Sequence, residues 1–179
     1  MSVYLDTSVL IAANKPGDPD YEYAKRVLGS KASKLTSYIA LAELVSVIAR
    51  LLAAGQIEID PRAQRILEKL NDEEKVQAMA LYILRKGSVD ILECLGLAPS
   101  GIFGVDIPIE FQIGIKIAPI TRLRTLDNLH IAVAMLNKKS NEIRFFITGD
   151  REILKKSRTI NEISGLVVLS PKEATEKII

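Results

Sequence analysis

The chain has 179 residues, 48% of them apolar and 26% charged, with a formal net charge of +2. That length supports one core of ordinary size, and near-neutrality excludes nucleic-acid binding through a global field, leaving only local patches. One cysteine, Cys94, and one histidine, His130, exclude an internal disulfide and a four-ligand structural zinc site.

A reducing, cytoplasmic setting is the expectation from cysteine usage. No cationic leader precedes Asp6, and no run reaches the ~18 uncharged apolar residues of a membrane span. Val3 to Leu5 is a short β-prone run, predicted as a buried strand. It ends on Asp6, and Thr7 or Ser8 is placed to cap a short helix through Ala13. The stretch "NKPGDPD" reads as a loop. A helix follows from Tyr21 to Leu28, with Gly29 where a closing glycine belongs, and then a brief strand from Lys34 to Ser37. "IALAELVSVIARLLAA", Ile39 to Ala54, is a strong helix closed by Gly55. Asp60 and Pro61 form another start signal, N-cap then first-turn proline, for a helix to about Leu70. Asp72 opens a further helix to Lys86, closed by Gly87, and Val89 to Leu92 is a third strand candidate.

Residues 107–117, "IPIEFQIGIKI", alternate apolar and other residues, and Pro108 and Gly114 disfavour a helix, so a strand is predicted. Thr125 is the expected cap of an apolar helix from Leu126 to Asn137. Arg144 to Ile147 is a strand followed by "TGD". Arg151 to Ser157 is a helix, Leu166 to Leu169 a last strand, and Pro171 to Ile178 a last helix starting at Ser170. Strands alternating with helices predict an α/β fold around a mainly parallel sheet. No linker, repeat or low-complexity tract divides residues 1–179.

An aspartate beside an apolar strand is costly unless a cation or several donors meet it. Asp6 ends the first strand and Asp150 follows "RFFIT" in the same way; ligands gather at such carboxyl ends of parallel strands. Each also suits an N-cap. Glu43 lies in an almost wholly apolar helix, where Glu43, Ser46 and Arg50 could also form a solvated stripe. Asp127 sits in the first turn of its helix, which the helix dipole favours, but shares its side with Ile131 and Ala134. Together the four are a set of oxygen donors suited to hard cations such as Mg²⁺ and Mn²⁺, whose presence would offset their mutual repulsion. Such ions can activate water for phosphodiester cleavage. Thr7, Ser8 and Thr148 add hydroxyls beside the acids.

The four stretches "VYLDTSVLIA", "IALAELVSVIAR", "LRTLDNLHIAVA" and "FFITGDREIL", in that order over nearly the whole chain, resemble the PIN domain family of metal-dependent ribonucleases, which includes the VapC-type toxins of toxin–antitoxin pairs. The resemblance implies a three-layer α/β/α sandwich with sheet order 3-2-1-4-5, which sets the first and fourth strands side by side. It implies that Asp6, Glu43, Asp127 and Asp150 are an acidic quartet holding Mg²⁺ or Mn²⁺, and that Thr148 is the family's hydroxyl residue two before the last acid. Hydrolysis of single-stranded RNA, a homodimer and, for a toxin, a small antitoxin protein are the further implications. The chain departs from the family in extra sequence at about 95–121. The family usually places a helix before the Asp127 helix, where this chain shows period 2; a projecting β-arm packed on a partner is the expectation there.

Two other readings stand beside the toxin: an RNA-processing PIN nuclease outside any toxin–antitoxin pair, and a PIN-fold interaction module with little or no activity. His130, one turn after Asp127, reads as a buried polar residue rather than a ligand, because its neighbours are hard oxygens. No G-x-S-x-G and no P-loop motif is present, and "GIFG" is too short for a dinucleotide fingerprint. Arg122, Arg124, Arg151 and Lys155 flank the acids and are the candidate RNA-phosphate contacts, against the plainer reading of a solvated surface.

Overall fold

A computed structural model describes residues 1–57, 59, 61–100 and 104–178. Asp60, the expected N-cap, lies outside the described residues, as do residues 101–103 of "GIFG". The strands are β1 (Ser2–Leu5), β2 (Ser33–Ser37), β3 (Val89–Leu92), β4 (Leu97–Ser100), β5 (Val105–Pro108), β6 (Ile143–Ile147) and β7 (Val167–Leu169). Five of them form one parallel sheet in the order β3-β2-β1-β6-β7, while β4 and β5 pair antiparallel as a separate hairpin. Without the hairpin the order is the expected 3-2-1-4-5, and β1 lies at the centre beside β6.

The helices are α1 (Thr7–Ala12), α2 (Tyr21–Gly29), α3 (Tyr38–Ala53), α4 (Pro61–Leu67), α5 (Asp72–Gly87), α6 (Ile109–Thr121), α7 (Thr125–Leu136), α8 (Arg151–Lys155), α9 (Ser157–Ser164) and α10 (Pro171–Lys177). Successive strand residues point to opposite faces, and β1 shows the result. Val3 and Leu5 join a core with α1, α2, α3, α5 and α10. Tyr4 joins a second core with α6, α7 and α9 on the other face. The architecture is an α/β/α sandwich. Each large apolar side chain removed from water contributes about 1.5–3 kcal/mol, so the two cores fix the register of the central strand and with it the position of Asp6.

Local corrections follow from the caps. The side chain that caps α1 is Asp6, not Thr7 or Ser8: it accepts the Thr7 N–H at 2.8 Å. Asn71 precedes Asp72 and forms a reciprocal capping box with Glu74. Arg124, not Thr125, holds the N-cap position of α7, and no side chain caps it. The expected helix from Arg151 to Ser157 is two helices, α8 and α9, meeting at Lys156.

The strand predicted over 107–117 is overturned: α6 occupies Ile109–Thr121. Its buried residues, Glu110, Gly114, Ile117 and Thr121, recur at steps of four, three and four, a helical period. Phe111 and Ile115 lie on the other side and are exposed. Apolar residues on two faces of one helix imitate alternation by two. Gly114 has a packing reason, since a Cβ there would stand 3.0 Å from Leu129 Cδ2 of α7. Pro119 lies in the last turn of α6 and brings no N–H to the carbonyl four residues back. Thr121 Oγ1 donates to Asn128 Oδ1 at 2.6 Å, which ties the end of α6 to α7. The rest of the segment is the hairpin. It is held to α6 by Glu110, fully buried and accepting the Leu95 N–H at 2.9 Å, and by Gln112 Nε2, which donates to Ala98 O at 2.7 Å.

Candidate metal centre

Asp6 follows the central strand directly. Its backbone N–H continues the sheet ladder to Ile147 O at 3.0 Å, while its carboxylate turns out at the strand's carboxyl end. It is buried, and donors surround it. Oδ1 accepts the Thr7 N–H; Oδ2 accepts Ser8 Oγ at 2.8 Å and Thr148 Oγ1 at 2.6 Å. Both hydroxyls are held in turn by the loop after β6: Gly149 N–H donates to Ser8 Oγ and Asp150 N–H to Thr148 Oγ1, each at 2.9 Å. Donors thus offset most of the cost of placing Asp6 beside the core. Gly149 has no side chain for a reason: a Cβ there would lie 3.2 Å from Asp20 Oδ2 and 3.6 Å from Ser8 Oγ.

The other acids arrive from separate elements. Glu43 projects from the second turn of α3, Asp127 is buried in the first turn of α7, and Asp150 caps α8 by accepting the Glu152 N–H at 2.7 Å. Asp6, Glu43, Asp127 and Asp150 line one cavity of about 270 Å³ together with Thr7, Ser8 and Arg124. The sheet order explains the meeting, since neighbouring β1 and β6 release Asp6 and Asp150 at the same edge. Asp18, from the loop before α2, also lines this cavity. Its loop was legible in "NKPGDPD", but nothing in that stretch distinguishes Asp18 from an ordinary turn residue.

Two cations answer the four carboxylates. Arg124 Nε meets Asp127 Oδ2 at 3.1 Å and its Nη2 meets Asp150 Oδ2 at 2.7 Å. His130 lies beneath, buried, with Nε2 at 3.2 Å from Glu43 Oε2 and 3.8 Å from Asp6 Oδ1. Its Nδ1 stands 3.0 Å from Tyr4 Oη, and that phenol donates its own proton to Ser37 Oγ at 2.8 Å. Both ring nitrogens therefore face acceptors, and an imidazolium satisfies them. Burial alone would lower the His130 pKa, but the Glu43 hydrogen bond and the charges of Asp6, Glu43 and Asp127 outweigh it, and the net shift is upward. The His130 hydrogen bond holds Glu43 below the ordinary carboxylate range. Burial raises Asp127, against the pull of Arg124 and with a further push from Asp150 and Asp6.

These residues fit a hard divalent cation. With Asp18, five carboxylates face one guanidinium and one imidazole, and the excess of negative charge is what a dication would offset. The buried Thr7 hydroxyl faces Glu43 and adds to the pull that lowers its carboxylate, a further oxygen in a cavity of oxygen donors. Carboxylate oxygens of Asp6 and Glu43 lie with His130 Nε2 within 4.8 Å of one another, the ring holding the two acids close rather than lending a lone pair. Of the expected phosphate contacts, only Arg124 touches the quartet among the described residues. Arg122 is an exposed residue at the C-cap of α6, Arg151 opens α8 on the Asp20 side, and Lys155 is paired with Glu152 at 2.6 Å. No helix among the described residues is long and apolar enough to cross a membrane.

The family model of the PIN domain matches residues 3–98. No curated protein matches the sequence. Among solved structures, a chain of VapBC2 from Rickettsia felis, bound to a DNA fragment from its promoter, aligns with TM-score 0.52 at 16% identity, over 95% of this chain and 98% of that one. A chain of FitAB bound to a DNA fragment aligns with TM-score 0.50 at 15% identity, over 94% of each chain. VapC20 of Mycobacterium tuberculosis, a sarcin-ricin loop cleaving toxin, aligns at 0.48 and 19% identity, over 83% of this chain and 92% of that one.

Proposed function

The chain belongs to the PIN domain family, and from that premise we propose that it is a metal-dependent ribonuclease, the toxin of a toxin–antitoxin pair, acting on single-stranded RNA in the cytoplasm. The observation that carries this reading is the convergence of Asp6, Glu43, Asp127 and Asp150 from four separate elements on one cavity. These four hold Mg²⁺ or Mn²⁺. The ion, when bound, supplies an activated water and offsets charge on the phosphodiester.

The chain's own groups do the rest. Thr148 and Ser8 clamp Oδ2 of Asp6, and Thr7 clamps Oδ1 through its N–H, so this acid cannot swing away from the cavity. His130 fixes the rotamer of Glu43 and keeps it ionised. Arg124 meets the phosphates of the RNA strand, with Arg122, Arg151 and Lys155 as further contacts along it. Such contacts position the chain without reading its bases. The antitoxin and homodimer belong to the same proposal. Solved complexes of the VapBC2 and FitAB type share the fold, and the exposed Phe111 and Ile115, one turn apart on α6, offer apolar surface to a second copy.

Purified protein with Mn²⁺ should cut single-stranded RNA, and Asp6→Asn should abolish the cutting. Equal rates for the two proteins would mean a contaminant or a different site. A dead interaction module predicts no Mn²⁺ binding by calorimetry. An adjacent reading frame for a small DNA-binding protein separates the toxin from an RNA-processing nuclease, and light scattering on the purified protein decides the dimer.

A further inference from the structure

Arg124 occupies the N-cap position of α7 without capping it. Its guanidinium reaches across the cavity mouth instead, bridging Asp127 and Asp150. Asp150 Oδ1 is engaged by the Glu152 N–H, so Oδ2 is the oxygen left to face the cavity, and Arg124 already holds it. The cavity's two cations differ sharply in freedom. The His130 side chain is 2% exposed and locked between Tyr4 and Glu43, whereas the Arg124 side chain is 74% exposed. Ion pairs so open to water are weak and exchange readily. A divalent ion seeking Asp127 and Asp150 meets a guanidinium on the same oxygens, and like charges at that range repel.

We propose that Arg124 is a displaceable counter-cation: it neutralises Asp127 and Asp150 in the metal-free protein, competes with the divalent ion for their oxygens, and is expelled when the ion binds. The proposal rests on the metal-site reading above. It assigns the two basic side chains separate roles, His130 as the fixed partner of Glu43 and Arg124 as the movable one. The expelled guanidinium then stands at the rim of the cavity, where a phosphate would enter.

Calorimetric titration of Mn²⁺ into the wild type, Arg124→Gln, Arg124→Lys and Asp6→Asn tests it, with RNA cleavage measured in parallel. The exposed side chain makes Arg124→Gln compatible with the fold. Removing the competitor should tighten Mn²⁺ binding about three- to tenfold, the scale of two exposed ion pairs, with Arg124→Lys in between. Equal or weaker binding by Arg124→Gln would overturn the proposal, because a scaffold for the acids, unlike a competitor, helps the ion bind. If the wild type binds Mn²⁺ no better than Asp6→Asn, the metal-site reading and this proposal fall together. If Arg124→Gln binds more tightly and the wild type cuts no RNA, displacement stands and the ribonuclease reading falls.

Discussion

Thr148 and Asp6 are 142 positions apart in the chain, yet Thr148 Oγ1 lies 2.6 Å from Asp6 Oδ2. The same hydroxyl accepts the Asp150 N–H, so one threonine couples two acids on neighbouring strands. Thr148→Val keeps the volume and removes both bonds. It should cost about 1–3 kcal/mol in urea denaturation, the scale of leaving buried polar groups unpaired, and should weaken Mn²⁺ binding. Thr148→Ser should restore both. A Thr148→Val protein with unchanged midpoint and affinity would show that the bond does not form.

The Tyr4–His130 contact makes a second expectation. Tyr4→Phe removes the hydroxyl from between His130 Nδ1 and Ser37 Oγ, both buried. The cost should again be about 1–3 kcal/mol, and it should shrink when His130 is also replaced, because the two act on one network. A double-mutant cycle in denaturant gives the answer.

Gly114 and Gly29 should respond oppositely to a side chain. Gly114→Val forces atoms into the α6–α7 contact at Leu129 and should destabilise by about 1–3 kcal/mol. A Cβ at Gly29, the last residue of α2, meets nothing within 4 Å. Gly29→Ala should therefore be neutral or gain about 0.4–1 kcal/mol through the unfolded chain. Thermal melts of the two variants against the wild type decide.

Glu173 gives a signed pH dependence. The Ser170 backbone N–H, then the Ser170 hydroxyl, hold its carboxylate below the ordinary value of 4.5. A depressed folded pKa means stability that is complete above the unfolded value and lost as pH falls through the folded one. Melting temperatures should thus drop more steeply below pH 4.5 for the wild type than for Glu173→Gln. Parallel curves for the two would remove the capping box as the cause.

Much of this was readable before any coordinates. Asp6 and Asp150 each follow a strand, and the β1–β6 neighbourhood implied by the family resemblance is the one observed. What stayed hidden depends on three dimensions. Period 2 over 107–117 arises from two apolar faces on one helix, a case local pattern cannot separate from a strand. Asp18 lines the cavity from the loop between α1 and α2, and Arg124 looks like any surface arginine until Asp150 arrives from 26 residues further on. His130 was legible as buried and polar, but not as the partner of Glu43, since nothing linear relates α3 to α7.

The hairpin of β4 and β5 divides the acids evenly: Asp6 and Glu43 come before it, Asp127 and Asp150 after. A protein cleaved at that hairpin would yield two fragments, each lacking two of the four acids, and neither could assemble the cavity alone. The same holds during translation. A nascent chain cannot bring Asp150 beside Asp6 until the segment after β6 has emerged and docked next to the first strand, so the cavity is complete only with the finished fold.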